Sequence, residues 1–357
     1  MPSLAEPNEQ IEDLVLDAVI GGDTHRDTHH LEMVTGTGVV LSTVVIDNDA
    51  AGYAEAVAWI AEHTPGRRML IGLEGTRSYG IGLCRALQAA GLEVVEVERP
   101  KRAQRRKGKS DPIDAHLAAM TVLRMPVDRK VLPRSDGDRE ALRILLGARR
   151  DMTTQKTRQT NRLRALLLTG DDADRALSKG ALSDARLDRI SGRPAGAGDT
   201  IEQLVRRDEA TRLAVSIKAT EHALQANKKQ LTKLVEKIAP KQLDKVGVGP
   251  VSAAQIIVSF SHVGRCRDEA AFAALAGVSP LPASSGRTHR HRLNRGGDRQ
   301  LNRAMHDVAM SRARYCARTR AYIAKRQAQG MPDREIRRCL KRYIAREFFR
   351  GLMAEMG

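Results

Sequence analysis

Aromatic residues are scarce in this chain of 357 residues: phenylalanine, tryptophan and tyrosine together reach 3%. A surface that grips its ligand mainly by stacking is thereby excluded, and contact with a polymer backbone must dominate any nucleic-acid binding. Cysteine is as sparse. Cys84, Cys266, Cys316 and Cys339 lie far apart with no Cys-x-x-Cys pair, which excludes a zinc ribbon or a disulfide framework and leaves them as packing residues. No run approaches the roughly 20 apolar residues of a membrane span. The acidic opening, Pro2 to Asp13, lacks the charged-then-apolar layout of a signal peptide. A soluble, cytoplasmic protein without a membrane partner is the expectation.

What is abundant is positive charge. The formal net charge is +17, which suggests a polyanionic partner. Residues 1–99 hold 6 Lys or Arg against 16 Asp or Glu, a balance of −10, so the rest of the chain carries +27. An acidic front and a basic back suit a metal-dependent active site joined to a body that holds nucleic acid. The length predicts two or three domains.

One stretch joins the two halves. Lys101, Arg102, Arg105, Arg106, Lys107 and Lys109 run straight into Ser110-Asp111-Pro112-Ile113-Asp114. Pro112 suits the first turn of a helix, and Ser110 or Asp111 can cap it. Asp111 and Asp114, three apart, then share a face near the positive end of the helix dipole. Cations there attract phosphate, and paired carboxylates suit a hard metal ion. The same pattern also describes an ordinary cap beside a solvated basic linker.

Ahead of it, residues 14–20 read as a buried strand followed directly by Gly21-Gly22-Asp23. His30–Val34 and Val39–Ile46 form a hairpin about Thr35-Gly-Thr-Gly38. Ala50–His63 reads as a helix, Met69–Leu73 as a strand ending at Glu74, Tyr79–Ala90 as a helix stopped by Gly91, and Leu92–Val97 as a strand. The acids close the first and fourth strands. His25, His29 and His30 stand beside Asp23, but their spacing fits no zinc pattern, and they read as surface or phosphate-adjacent residues.

This order of elements, with Gly-Gly-Asp23, Leu-Glu74-Gly-Thr-Arg-Ser-Tyr and Lys-Ser-Asp111-Pro-Ile-Asp114-Ala, resembles the DEDD transposases of the insertion sequence 110 family. Their first domain is related to RuvC-type junction resolvases and is RNase H-like. The resemblance implies that Asp23, Glu74, Asp111 and Asp114 converge on Mg²⁺ or Mn²⁺.

Beyond Asp138 the chain turns helical. Asp138 to about Leu168 is one helix, a polar gap follows from Thr169 to Asp199, and Thr200–Ala239 is a second helix. Ile217, Thr220, Leu224, Asn227, Leu231, Leu234 and Ile238 recur on it at spacings of three and four, a coiled-coil seam with polar breaks. It packs either on the earlier helix or on a second protomer. Lys245-Val-Gly-Val-Gly-Pro resembles the turn of a helix-hairpin-helix module, in which Gly247 and Gly249 let backbone amides approach phosphate. Phe272–Gly277 reads as a helix and its stop. Further on, Ala283-Ser-Ser-Gly286 precedes Arg287, Arg290, Arg292 and Arg295, a hydroxyl inside a field that can neutralise phosphate. Within the family resemblance this is the second-domain motif, whose Ser-Gly serine is the nucleophile; Ser285 takes that role, with Ser284 its neighbour. One helix from Asp298 to about Gln329 and another from Pro332 to Met356 complete the chain.

The expected architecture is an RNase H-like α/β domain at 14–125, a helical coiled-coil connector at 138–240 and a mostly helical domain at 243–357. The resemblance implies a transposase that exchanges strands of donor and target DNA through a phosphoserine link, uses a structured guide RNA, and works as a homo-oligomer, a dimer or tetramer. Two other classes use these residues differently. A metal-dependent junction nuclease needs the acids but no covalent serine, and a non-enzymatic nucleic-acid binder needs neither.

Overall fold

The structure is a computed structural model describing residues 16–98, 111–126, 130–134, 136–194, 196–282, 291–292, 294 and 296–357. The chain forms two compact units, Met1–Ser135 and Asp136–Gly357.

The first unit is built on a five-stranded sheet: β1 (Ala18–Thr24), β2 (Thr28–Thr35), β3 (Val40–Asp47), β4 (Met69–Leu73) and β5 (Val94–Glu96), in the order β3-β2-β1-β4-β5. β1, β2 and β3 pair antiparallel, whereas β4 lies parallel to β1 and β5 parallel to β4. Alternation divides the side chains between two faces. Ile20, Leu31, Met33, Ile71 and Leu73 pack against α1 (Ala50–His63) and α2 (Ile81–Ala89). Val19, Val34, Leu70 and Val95 pack against Ala118, Ala119 and Val122 of α3 (Asp111–Leu123).

β1 extends further than its apolar run implies. Gly21, Gly22 and Asp23 lie within the strand and do not follow it. The glycines are there for close packing: a Cβ on Gly21 would stand 2.1 Å from the Ala115 carbonyl oxygen and 2.3 Å from the Ala119 nitrogen, both backbone atoms of α3. On Gly22 it would meet only the tips of Leu73 and Leu31 at 2.5 and 2.9 Å. Gly21→Ala should therefore destabilise the first unit by about 3 kcal/mol, and Gly22→Ala by distinctly less. Denaturant unfolding of both variants checks this; equal losses would mean that α3 can shift without cost.

Among the described residues the second unit is helical, apart from one short strand pair. Its helices are α4 (Asp138–Leu168), α5 (Asp172–Ser178), α6 (Asp184–Ser191), α7 (Ile201–Ile238), α8 (Pro250–Phe260), α9 (Glu269–Leu275), α10 (Arg299–Tyr315), α11 (Ala317–Ala328) and α12 (Asp333–Met356). A capping box between Thr200 and Gln203 starts α7. The stretch read as a polar gap holds α5 and α6, whose seven and eight residues are too short to display helical periodicity. Leu187 and Ile190 of α6 are nonetheless buried against Leu163, Leu167 and Ile217. The single helix expected after Asp298 is broken at Cys316, whose ψ of 115° is extended.

The seam on α7 faces α4 of the same chain. Leu231 and Val235 share a core with Leu142 and Leu146. Asn227 donates to the Leu145 carbonyl at 3.0 Å, and Arg149 donates to the Leu224 carbonyl at 2.8 Å. Of the two polar breaks, Asn227 thus fixes the register of an intramolecular helix pair together with Arg149, while the Thr220 hydroxyl donates to the Ser216 carbonyl of its own helix. That same core continues into α8, α10 and α12 through Ile257, Phe260, Met305 and Phe348.

Candidate active site

Asp23 and Glu74 are brought level by strand pairing. β1 and β4 run parallel with Gly22 beside Leu73, and the Glu74 amide continues the ladder by donating to the Gly22 carbonyl at 3.1 Å. Each acid is two residues beyond a glycine, Gly21 or Gly72, that lies under α3. Both therefore belong to the α3 face of the sheet. Met120 and Leu123 of α3 meet Gly38, in the turn beside the start of β1. The helix consequently runs against β1, and its first turn, with Asp114, covers the Asp23 end. Asp23, Glu74 and Asp114 are all buried, at 2%, 5% and 2% exposure. Burying three carboxylates costs free energy unless partners or a cation offset it.

The loop after β4 is braced from beneath. The Thr24 hydroxyl donates to the Glu74 carbonyl at 3.0 Å. Gly75 adopts φ +60° above Thr24, where a side chain would be strained. Arg77 reaches Glu96 at 3.0 Å. His25 lies 3.0 Å from Asp23 Oδ2 through Nε2, and His30 stands opposite Asp23 in the pairing of β1 with β2. His29 departs from the reading of the three as surface or phosphate-adjacent residues: it is fully buried on the opposite face, hydrogen-bonded to Asn48 at 2.9 Å and stacked on Tyr53. Burial pushes its imidazole below the usual histidine range, toward the neutral form.

A fourth buried acid on this face escaped the sequence reading. Glu32 pairs with Gly21 across β1 and β2, and its carboxylate is hydrogen-bonded to His116 of α3. The signal was present, because Glu32 is the one acid in the otherwise apolar run Leu31–Val34, and only strand register shows that it shares a face with Asp23.

The donor set is chemically suited to a hard divalent cation, being carboxylate oxygens from three elements. Among the described residues no group of three His, Cys, Asp or Glu side chains closes on one point tightly enough to hold an ion. The side chain of Asp111 lies outside the described residues, although its backbone opens α3. Lys101, Arg102, Arg105, Arg106, Lys107 and Lys109 lie outside them entirely, as do Ser284, Ser285, Arg287, Arg290 and Arg295.

The second unit frames the serine motif through its described flanks. β6 (Leu281–Pro282) and β7 (His291–Arg292) pair antiparallel, with Arg292 exposed. Downstream, Asp298 caps α10 by accepting from the Gln300 and Leu301 amides, and also accepts from the Ser259 hydroxyl of α8 at 2.7 Å. In the hairpin, Gly247 has φ +78°, which a glycine adopts without strain, and Gly249 has nothing within 4 Å of where a Cβ would stand, leaving its backbone open to approach. Lys245 does not join that surface: it lies over the Phe348 ring and donates to Gln242.

Comparison with known proteins now decides the class. A family model described as a transposase of the IS110 DEDD type matches residues 20–170, and the model of the transposase IS116/IS110/IS902 family matches residues 244–324. The two together take in nearly two-thirds of the chain, in the order the motifs stand. The chain belongs to the IS110 family of transposases. It is also 26% identical over 324 residues to a Streptomyces coelicolor mini-circle protein assigned as the transposase for IS117, covering 75% of this chain and 78% of the relative. The chain is accordingly a DNA transposase, with a mixed-sheet α/β unit followed by a mostly helical one. Among the described residues no helix is long and apolar enough to cross a membrane.

Proposed function

We propose that this transposase cuts and rejoins donor and target DNA through Ser285, supported by a carboxylate site for Mg²⁺ or Mn²⁺ and directed by a structured guide RNA. The observation that carries the reading is the shared face of Asp23, Glu74 and Asp114, three buried carboxylates from two strand ends and one helix start. The order β3-β2-β1-β4-β5, with helices on both faces, supports an RNase H-like, RuvC-like first unit. Asp23, Glu74, Asp111 and Asp114 would hold the cation, which when bound polarises a phosphate and offsets its charge.

The remaining chemistry falls to side chains. The Ser285 oxygen attacks a DNA phosphorus, an Oγ–P bond forms, and the bond from phosphorus to the departing strand's oxygen breaks. In net terms the serine proton leaves with that strand's new hydroxyl. A free hydroxyl of the incoming strand reverses the exchange, so no bond energy is lost to water. Arg287, Arg290, Arg292 and Arg295 neutralise the phosphate as charge builds.

Denaturing electrophoresis of labelled substrate separates the classes. This reading expects a protein–DNA adduct and rejoined strands; a metal-only nuclease gives cut strands with no adduct, and a binder gives neither. Binding has its own expectation. Neutralising Arg105, Arg106 and Lys107 together should make the fall of affinity with salt shallower, by about 2 to 3 in log–log slope if each meets a phosphate. An unchanged slope would mean that the run is solvated.

A further inference from the structure

Beside the hairpin at 245–249, the second unit holds a cavity of about 810 Å³ between α10, α11 and α12. Its charge is lopsided, with four guanidinium groups and one carboxylate in the lining. Arg312 and Glu347 satisfy each other at 2.7 and 3.0 Å, while Arg312 also donates to the Val246 carbonyl at 2.8 Å. That pair ties the hairpin to the cavity wall. Arg346 and Arg350 share a single carboxylate, Glu269, at 2.8 and 3.2 Å. Arg318 stands exposed at the rim. The wall therefore retains positive charge after its internal pairs are counted.

Two of the five tyrosines in this aromatic-poor chain line the same cavity. Tyr322 and Tyr343 meet edge to face, with centroids 5.8 Å apart and planes at 87°. Tyr322 is held in turn by Arg326, whose guanidinium lies 5.4 Å from its ring centroid and donates to its hydroxyl at 3.3 Å. Tyr343 is half exposed. A fixed tyrosine thus supports an accessible one, above a floor formed by Leu340 and Ile344. Anion binding by itself would need no aromatic ring, and an apolar ligand would need no arginines. A flat, uncharged ring system carrying phosphates needs both.

We propose that this cavity receives one unpaired nucleotide of a single-stranded nucleic acid, its base on Tyr343 and its flanking phosphates on Arg318, Arg346 and Arg350. The volume falls within the range of small-ligand pockets, about 300–1,000 Å³, and so accommodates a nucleotide. The adjoining hairpin gives the neighbouring backbone a place to pass, since the Gly249 side is open. A paired base cannot reach the ring without leaving its stack, so the site distinguishes single strands from duplex. It stands on its own geometry and needs neither the carboxylates nor Ser285.

The test uses the full-length protein and short oligonucleotides carrying 2-aminopurine, as single-stranded DNA, single-stranded RNA and duplex DNA. Tyr343→Ala should weaken single-strand binding by about 5- to 50-fold and remove the fluorescence quench of the docked base, with duplex affinity unchanged. Tyr343→Trp should keep both signals. Arg318→Ala should weaken single-strand binding and flatten its salt dependence. Tighter binding of DNA or of RNA identifies which strand the site serves, and either result supports it. The proposal is overturned if Tyr343→Ala and Arg318→Ala leave single-strand affinity unchanged. It is equally overturned if polyglutamate competes as well as an oligonucleotide, which would make the cavity a groove for acidic peptide. Because binding is read without catalysis, loss of strand exchange cannot be mistaken for either outcome.

Discussion

Asp23→Asn and Glu74→Gln should each lower metal-dependent strand cleavage by about 10³-fold, roughly 4 kcal/mol of barrier, while the protein stays folded. The two carboxylates stand level at neighbouring strand ends, both buried, with Asp114 on the helix whose first turn covers the Asp23 end. Like charges gathered on a buried face repel unless a cation or proton lies between them. Replacing one by its isosteric amide therefore relieves repulsion in the metal-free protein, and the melting temperature should hold or rise. The metal-loaded protein should show the reverse, because a lost ligand weakens the stabilisation that binding confers. Thermal melts with and without Mg²⁺, beside cleavage rates, read both effects. Full activity in Asp23→Asn, Glu74→Gln and Asp114→Asn would remove the carboxylates from the mechanism, and Glu32→Gln then becomes the variant to examine on the same face.

The serine carries the second large effect. Ser285→Ala should reduce strand exchange by about 10⁴-fold or more, because no other atom takes the place of a covalent nucleophile. Binding to donor and target DNA should change little. Ser284→Ala should retain most of the activity, and this contrast distinguishes a nucleophile from a loop that merely tolerates no change. If the working unit takes its acids from one protomer and its serine from another, mixing Ser285→Ala protein with Asp111→Ala protein restores part of the exchange. No recovery in the mixture assigns both parts to a single chain.

Much of the first unit was legible because its strands obey simple rules. Met69–Leu73 and Ala50–His63 stand where apolar runs and helical spacing put them. Asp23 was legible as an acid near a strand end, but not as a residue within the strand, because two glycines read as a turn until the backbone of α3 is seen to lie on Gly21. Glu32 and His116 are 84 residues apart and meet only through the register of β1 with β2 and the crossing of α3. In the second unit, the α7 seam was visible as a periodicity, yet nothing in a periodicity names the partner; the hydrogen bonds of Asn227 and Arg149 do. Low aromatic content likewise argued against stacking. It could not show that α11 and α12 would place Tyr322 and Tyr343 together beside the hairpin. Composition averages over the chain, whereas a site needs only a few residues in one place.

The most direct test of the covalent, metal-supported mechanism is to map the adduct. The transposase would be incubated with Mg²⁺, the proposed guide RNA and a nicked substrate from which the departing strand diffuses away, then digested and sequenced by mass spectrometry for a nucleotide-bearing peptide. The mechanism predicts a phosphodiester on Ser285, lost in Ser285→Ala and in Asp23→Asn. Cleaved DNA with no nucleotide on Ser285 would contradict it.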